Sequence, residues 1–477
     1  MIHQARGYVL PAVAFVVLAL LVLGFFEPPF WYGLILFGPL LALGTYDFFQ
    51  RQHSVLRNYP ILGHLRFALE DMGPELHQYF VESNTDGRPF NRDERSLAYE
   101  RAQGVNDAKP FGTEIDVYEP GYRWINHSIK PSRAIEDPAK NMRVEVGGER
   151  CDKPYSASLL NISAMSFGAL SPNAILALNA GAKMGGFAHN TGEGGLSRYH
   201  SEPGGDLIFQ FGTGYFGCRT EDGRFDAGMF EETARSEQVK MIELKLSQGA
   251  KPGHGGILPA AKVSEEIAGA RGVPAGEDCI SPRAHTAFST PIELLEFVTL
   301  LRSLSGGKPV GFKLCIGDPV EFLSVCKAML ETELLPDFIT IDGAEGGTGA
   351  APAEFSDRLG VPLREGLLFA NNALVGCGLR DRIRMAASGK RLTAFGIANA
   401  MAIGADWCNA ARPFMFAVGC IQAQTCHTNK CPVGVCTQDP KLYRALVVEP
   451  KAQRAYRFHR HTLESLAEFT SAAGLDH

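Results

Sequence analysis

Four cysteines near the C-terminus lie close enough in sequence to share one ligand: Cys420, Cys426, Cys431 and Cys436 in GCIQAQTCHTNKCPVGVCTQ. Thiols grouped in this way hold a metal or cluster, close a disulfide, or pack as small apolar side chains. The spacing Cys420-x5-Cys426-x4-Cys431 lacks the CxxC knuckle that zinc sites usually use. A second set of reactive types sits in glycine-rich stretches: Glu193 in NTGEGG, Lys245, Gln248 and Lys251 in KLSQGAKPGHGG, and Asp342 and Glu345 in DGAEGGTGAAP. Lys313, Ser388–Gly389–Lys390 and Arg412 close other strand-like runs. Any one lysine reads as a solvated surface residue. Three of them at strand ends, with Arg271 and Arg412, suit an anionic substrate and a phosphate-bearing cofactor.

The elements that must position these groups form a rhythm from about residue 156. Strand-like runs at 159–164, 187–192, 241–246, 278–282, 311–315, 338–343, 383–388 and 407–412 alternate with helical patterns such as SPNAILALNAGAKMG and TPIELLEFVTLLRSL. Ser171, Ser289/Thr290 and Asp318 stand where helix N-caps belong, each followed by proline. The strands lack strict alternation, as expected of a parallel sheet buried on both faces. Eight strand–helix units predict an α/β fold of the (β/α)8 TIM-barrel type, with chemistry at the strands' C-terminal ends. A doubly wound sheet is the alternative, but no phosphate-binding glycine fingerprint follows the first strand. The string GTGYFG (Gly212–Gly217) matches that fingerprint without opening a helix, and reads as a turn. Isolated Cys315 and Cys326 read as buried apolar residues.

The first fifty residues are a separate piece. An uncharged run, Tyr8–Phe26, is followed after EPPF by a second, Trp31–Tyr46. Each approaches the length needed to cross a hydrocarbon core of roughly 30 Å. A signal peptide would carry one shorter run. Arg6 precedes the first run, and Arg51, Arg57 and Arg66 follow the second, so both ends should be cytoplasmic. This predicts a two-pass hairpin in the cytoplasmic membrane, bathed in lipid, with the catalytic domain in the cytoplasm. There a reducing milieu argues against structural disulfides. The expected divisions are an anchor at 1–50, a juxtamembrane helical and irregular connector at 51–155, the barrel at 156–440 and a helical tail at 441–477. A net charge of -6 over 477 residues gives no basic face for nucleic acid.

The stretch KLSQGAKPGHGGILPAAKVSEEIAGAR resembles the flavin-binding synthase domain of glutamate synthases. AMSFGALS, NTGEGG, DGAEGGTGAAP, GLRDRIR and GCIQAQTCHTNKCPVGV resemble it too, in the same order, from about Ser156 to Gln438. The whole is similar to the short, membrane-anchored, stand-alone members of that family. The resemblance implies a barrel holding FMN and a [3Fe–4S] cluster. It implies an oxidoreductase of the amine-donor class, in which the flavin reduces 2-iminoglutarate, formed from 2-oxoglutarate and ammonia, to L-glutamate.

Carried over residue by residue, Ala164, Met165 and Ser166 lie against the flavin. Gln210, Lys245 and Lys313 contact it, Gly346, Gly347 and Thr348 form a flavin-side loop, and Ser388, Gly389 and Lys390 bind phosphate. Gln248, Lys251 and Arg271 hold the substrate carboxylates, and Glu193, Lys245 and Lys251 are the catalytic set. Cys420, Cys426 and Cys431 ligate the cluster. Cys436 stands where the family usually has alanine, as an inert thiol or as a fourth ligand that would give [4Fe–4S]. The family's PGEGG reads PGHGG here, with His254, and SPRAHTA with Arg283 replaces a stretch of different charge. Another 2-oxo acid or amine is therefore an open alternative. With neither a glutaminase nor a nicotinamide domain in the sequence, ammonia is expected free or from a partner glutaminase. Electrons are expected from a ferredoxin or a separate reductase subunit. A membrane-tethered FMN and iron–sulfur electron carrier or redox sensor is the reading from another class.

Overall fold

The computed structural model describes residues 8–476, and Arg6 lies outside them. The chain divides into two compact units, one ending at Arg92 and the other running from Asp93.

In the first unit, the helices Val9–Phe26 and Leu34–Phe49 are joined by the 3-10 turn Pro28–Gly33. Among the described residues, the segments Val9–Phe26 and Pro28–Phe49 are long and apolar enough to cross a membrane. Their apolar side chains are largely exposed, Phe15, Leu18, Ile35 and Leu36 among them. A short helix, Ser54–Asn58, a longer one, Gly63–Leu76, and a π-helical turn, His77–Val81, follow in the same unit.

In the second unit an antiparallel ribbon, Arg143–Val146 on Tyr155–Ser158, leads into a closed barrel. Its strands are β1 (Leu160–Ile162), β2 (His189–Asn190), β3 (Leu207–Phe211), β4 (Val239–Lys245), β5 (Val310–Leu314), β6 (Phe338–Asp342), β7 (Arg384–Ser388) and β8 (Trp407–Ala410). Each pairs in parallel with its sequence neighbours, and β8 closes on β1. This is a TIM barrel, and its helices start where the sequence places their caps. Ser171 Oγ accepts from Ala174 N, Thr290 forms a capping box with Glu293, and Asp318 accepts from Val320 N.

One strand assignment needs correction. Residues 278–282 are not a barrel strand. Cys279–Ile280 makes a two-residue antiparallel ladder with Ile257–Leu258 in the excursion after β4, and Ile280 is exposed. The third barrel strand is Leu207–Phe211, directly before the GTGYFG turn, with all five side chains buried. A five-residue run buried on both faces carries no alternation to announce it. The C-terminal helix Val448–Ala472 packs on Pro172–Gly185, and Ala452 and Ala455 are fully buried there.

Candidate functional site

Residues two apart on a strand share a face, so the inward side chains of the barrel stack in layers. One layer centres on Glu243 of β4, which is 1% exposed. Its carboxylate accepts from Asn190 Nδ2 at 2.7 Å, Gln210 Nε2 at 2.6 Å and Thr340 Oγ1 at 2.7 Å. The next layer toward the strand ends holds Lys245, which pairs in register with Lys313. Lys313 Nζ meets Asp342 Oδ2 at 3.3 Å. Burial lowers the Lys313 pKa, but Asp342, Glu243 and Glu193 outweigh it, and the ammonium is held above its ordinary range.

At the mouth, Lys245 Nζ donates to Glu193 Oε1 at 2.6 Å and to Gln248 Oε1 at 2.8 Å. Gln248 Nε2 continues to Thr348 Oγ1 at 3.3 Å, and Lys251 Nζ reaches Ala350 O at 2.5 Å. Burial pushes the Glu193 carboxyl up. Lys245, Arg271 and Lys251 together overcome this and keep it below its usual value. Lys251 goes the other way: burial first, then Lys245, bring it down to about 8. These groups line one cleft with Thr213 and Arg283. Behind it, His285 Nε2 contacts Lys245 O at 2.9 Å and Nδ1 contacts Tyr215 Oη at 3.0 Å. Burial holds the His285 ring down to about 4, so it is neutral and fixes the backbone of Lys245.

Ala164–Met165–Ser166 follows β1. Gly192, at φ 66°, comes so close to it that a Cβ would stand 2.6 Å from Ser166 N. Arg271 lies off the cleft lining. Its Nη2 donates to Ser166 Oγ at 3.3 Å and Phe167 O at 3.2 Å, its guanidinium lies over Phe216, and its buried Nε has no partner. Gln210 is committed to Glu243. After β6, Arg412 Nη2 donates to Glu345 O at 2.7 Å and lies across Gly347. After β7 the chain turns at Gly389 (φ 129°) and Lys390 (φ 45°), both left-handed. Arg391 Nε ties that turn through Gly389 O at 2.7 Å. A cavity of about 400 Å3 opens beside it, lined by Arg123, Glu345, Arg364, Arg391 and Asn399. Two inward lysines at the mouth, the close approach at Gly192 and the Gly389–Lys390 turn suit a flat cofactor carrying a phosphate.

The four cysteines sit after the helix that follows β8. Left-handed Gln422, Gln424 and Asn429 curl the segment, and Tyr99 Oη binds Cys420 O at 2.7 Å. Lys262 reaches in from the β4 excursion, donating to Ala169 O at 2.7 Å and Cys426 O at 3.3 Å. Burial lowers the Lys262 pKa while Cys436, Cys426 and Cys431 oppose it. Burial raises Cys420 to about 12. Cys426 and Cys436 are hydrogen-bonded, and this bond more than any other cause brings Cys426 down to about 6 and pushes Cys436 up. Among the described residues, no three His, Cys, Asp or Glu side chains converge on one ion. A multinuclear cluster asks for something else, since each thiolate meets a different iron. The thiols that act on the buried Lys262 ammonium are those of Cys436, Cys426 and Cys431, so Cys436 lies nearer this charge than its reading as an inert thiol implies.

Glu243 and Lys262 are the functional neighbours that sequence reading missed. Glu243 lies two residues before Lys245, so strand parity alone would have flagged it. Lys262 had no such signal.

Residues 125–476 match the family described as a conserved region in glutamate synthase. A glutamate synthase large subunit-like protein of Bacillus subtilis is 40% identical over 465 residues, 90% of this chain and 88% of that protein. An archaeal-type glutamate synthase (NADPH) of Thermotoga neapolitana is 33% identical over 315 residues, 66% of this chain and 59% of that one. A solved mandelate oxidase with (S)-2-phenylpropionate gives a TM-score of 0.42 at 14% identity, over 87% of this chain and 94% of that chain.

Proposed function

The chain belongs to the glutamate synthase family, and from that premise we propose that it is a flavin- and iron–sulfur-dependent oxidoreductase. In this reading it reduces 2-iminoglutarate, formed from 2-oxoglutarate and ammonia, to L-glutamate. The observation that carries the proposal is the Glu193–Lys245–Gln248 chain at the barrel mouth with Lys251 beside it. It joins an ionised carboxylate to two ammonium groups in one cleft.

FMN, when bound, supplies the hydride to the imine carbon. Ala164, Met165, Ser166, Gln210, Lys245, Lys313, Gly346, Gly347 and Thr348 are the residues that would hold its ring, and Ser388, Gly389 and Lys390 its phosphate. Lys251 has a pKa of about 8, so near neutral pH it binds a substrate carboxylate as a cation. It can also give up a proton at Nζ. Glu193, kept ionised by Lys245, offers a carboxylate for ammonia and for the proton of the imine nitrogen. Gln248 orients the substrate through its amide. Arg271, turned to Ser166 and Phe167, fixes the β1 end against the carboxylate binders. Cys420, Cys426 and Cys431 would hold the cluster, with Cys436 as an alternative fourth ligand. Electrons come from a ferredoxin or a separate reductase, and ammonia from solution or a partner glutaminase. The N-terminal hairpin crosses the cytoplasmic membrane twice and leaves the barrel in the cytoplasm.

The test is anaerobic. Photoreduced protein is mixed with 2-oxoglutarate and ammonium, and flavin reoxidation and glutamate are followed together. Reoxidation with stoichiometric glutamate is expected. A protein that stays reduced with these compounds but passes electrons to a one-electron acceptor would instead be the tethered electron carrier.

A further inference from the structure

The helix Gly63–Leu76, continued by a π-turn at His77–Val81, carries an apolar stripe that stays exposed among the described residues. Leu62, Leu65, Leu69, Met72, Leu76 and Tyr79 follow one another at alternating steps of three and four, one face of a helix. Leu65 is 63% exposed, Leu69 53% and Met72 55%. The opposite face holds Arg66, Glu70, Asp71 and Glu75, with Arg66 paired to Glu70 at 2.7 Å.

Both ends of this helix are tied down. At its start, buried Asp47, in the last turn of the second hairpin helix, accepts from Ile61 N at 2.9 Å. His64 Nε2 stands 3.0 Å from both Asp47 oxygens. Ile61 packs beside Leu10 against Gly44, where a Cβ would meet Ile61 Cδ1 at 3.0 Å. At its end, Arg92 Nη2 donates to Gln78 O and Tyr79 O. The helix therefore leaves the hairpin at the very turn where the second apolar run stops.

We propose that residues 62–81 lie along the membrane–water boundary, with the leucine–methionine stripe among the acyl chains and the acidic face in water. This rests on the hairpin being membrane-spanning. The occupant is lipid rather than a second copy of the helix. A paired helical seam needs an unbroken run of interlocking side chains. Here Gly73–Pro74 interrupts the backbone ladder, and the π-turn adds exposed Phe80 and Val81, widening the face. Charge decides the kind of lipid. One arginine against three acids gives no attraction to anionic headgroups, so apolar burial alone seats the helix.

The experiment uses the full chain in phosphatidylcholine vesicles, with the photocrosslinker p-benzoylphenylalanine replacing Leu69, Met72, Asp71 or Leu36 in separate variants. Lipid adducts are measured by mass spectrometry. Adducts are expected at 36, 69 and 72, and roughly tenfold fewer at 71, unchanged when phosphatidylglycerol is added. Adducts at 36 without adducts at 69 and 72 overturn the proposal. Crosslinks from 69 and 72 to a second chain overturn it in favour of a dimer. Adducts nowhere, 36 included, overturn the membrane-spanning hairpin and this inference with it.

Discussion

Replacing Lys245 with methionine should expose what holds the mouth of the barrel together. Its ammonium lies 2.6 Å from Glu193 Oε1 and 2.8 Å from Gln248 Oε1. The side chains of the ion pair are 8% and 17% exposed. Methionine keeps the length and the apolar stem but leaves Glu193 buried without its main counter-charge. Removing one partner of such a pair costs about 3–5 kcal/mol. The sign with pH follows from Glu193. In the native protein its pKa is depressed, so the stabilisation is present above the ordinary carboxyl pKa and is lost as pH falls through the lowered one. In Lys245→Met only Arg271 and Lys251 still oppose burial, and the pKa rises. The deficit is therefore largest near pH 8 and shrinks on acidification, as the carboxyl takes up a proton. Each unit of pKa rise contributes about 1.4 kcal/mol. Urea unfolding of the detergent-solubilised full chain at pH 8 and pH 5.5, for Lys245→Met, Glu193→Gln and the double variant, measures this. The double variant should recover about 2 kcal/mol relative to the sum of the singles. A deficit that does not vary with pH, or strictly additive variants, would refute the coupling.

In steady-state assays, the KM for 2-oxoglutarate should climb as pH rises through about 8, where Lys251 loses its proton. Lys251→Arg should flatten the climb, because arginine stays charged. Cys420→Ala, Cys426→Ala and Cys431→Ala should each lose iron, sulfide and the electron paramagnetic resonance signal, whereas Cys436→Ala should keep a three-iron signal. Loss of cluster in Cys436→Ala would make it a fourth ligand. Gly249→Ala should destabilise the protein by more than about 3 kcal/mol in the same urea assay, since its Cβ would stand 1.6 Å from Gly343 O. Gly269→Ala, whose Cβ meets nothing within 4 Å, serves as the neutral control.

What could be read in advance was local. Caps at Ser171, Thr290 and Asp318 depend on neighbours two or three residues away, and the helices start there. Loops after the strands announced themselves through glycine. The third strand did not, because Leu207–Phe211 and Cys279–Ile280 look alike as short apolar runs, and only the closure of the barrel distinguishes them. The resemblance named Arg271 as a carboxylate binder, but its direction depends on Ser166 and Phe167, more than a hundred residues away in sequence. Lys262 meets a cysteine loop more than a hundred and sixty residues further on. Contacts of that separation leave no periodic trace in a single sequence.

On the proposed reading, the layout also decides which cation would meet an incoming dicarboxylate. Lys313 is committed to Asp342 and lies under the electrostatic hold of Glu243, and Lys245 is committed to Glu193 and Gln248. Neither can turn to a substrate without stranding a buried carboxylate. Lys251 donates to a neutral carbonyl, Ala350 O. Exchanging that acceptor for a carboxylate turns an ammonium–carbonyl hydrogen bond into one between opposite charges. The exchange frees Ala350, and with it the loop after β6 that Gln248 touches at Thr348. If Lys251 captures the substrate as proposed, it gives up Ala350 O, so a substitution in the Gly346–Ala350 loop should alter substrate affinity without contacting the substrate.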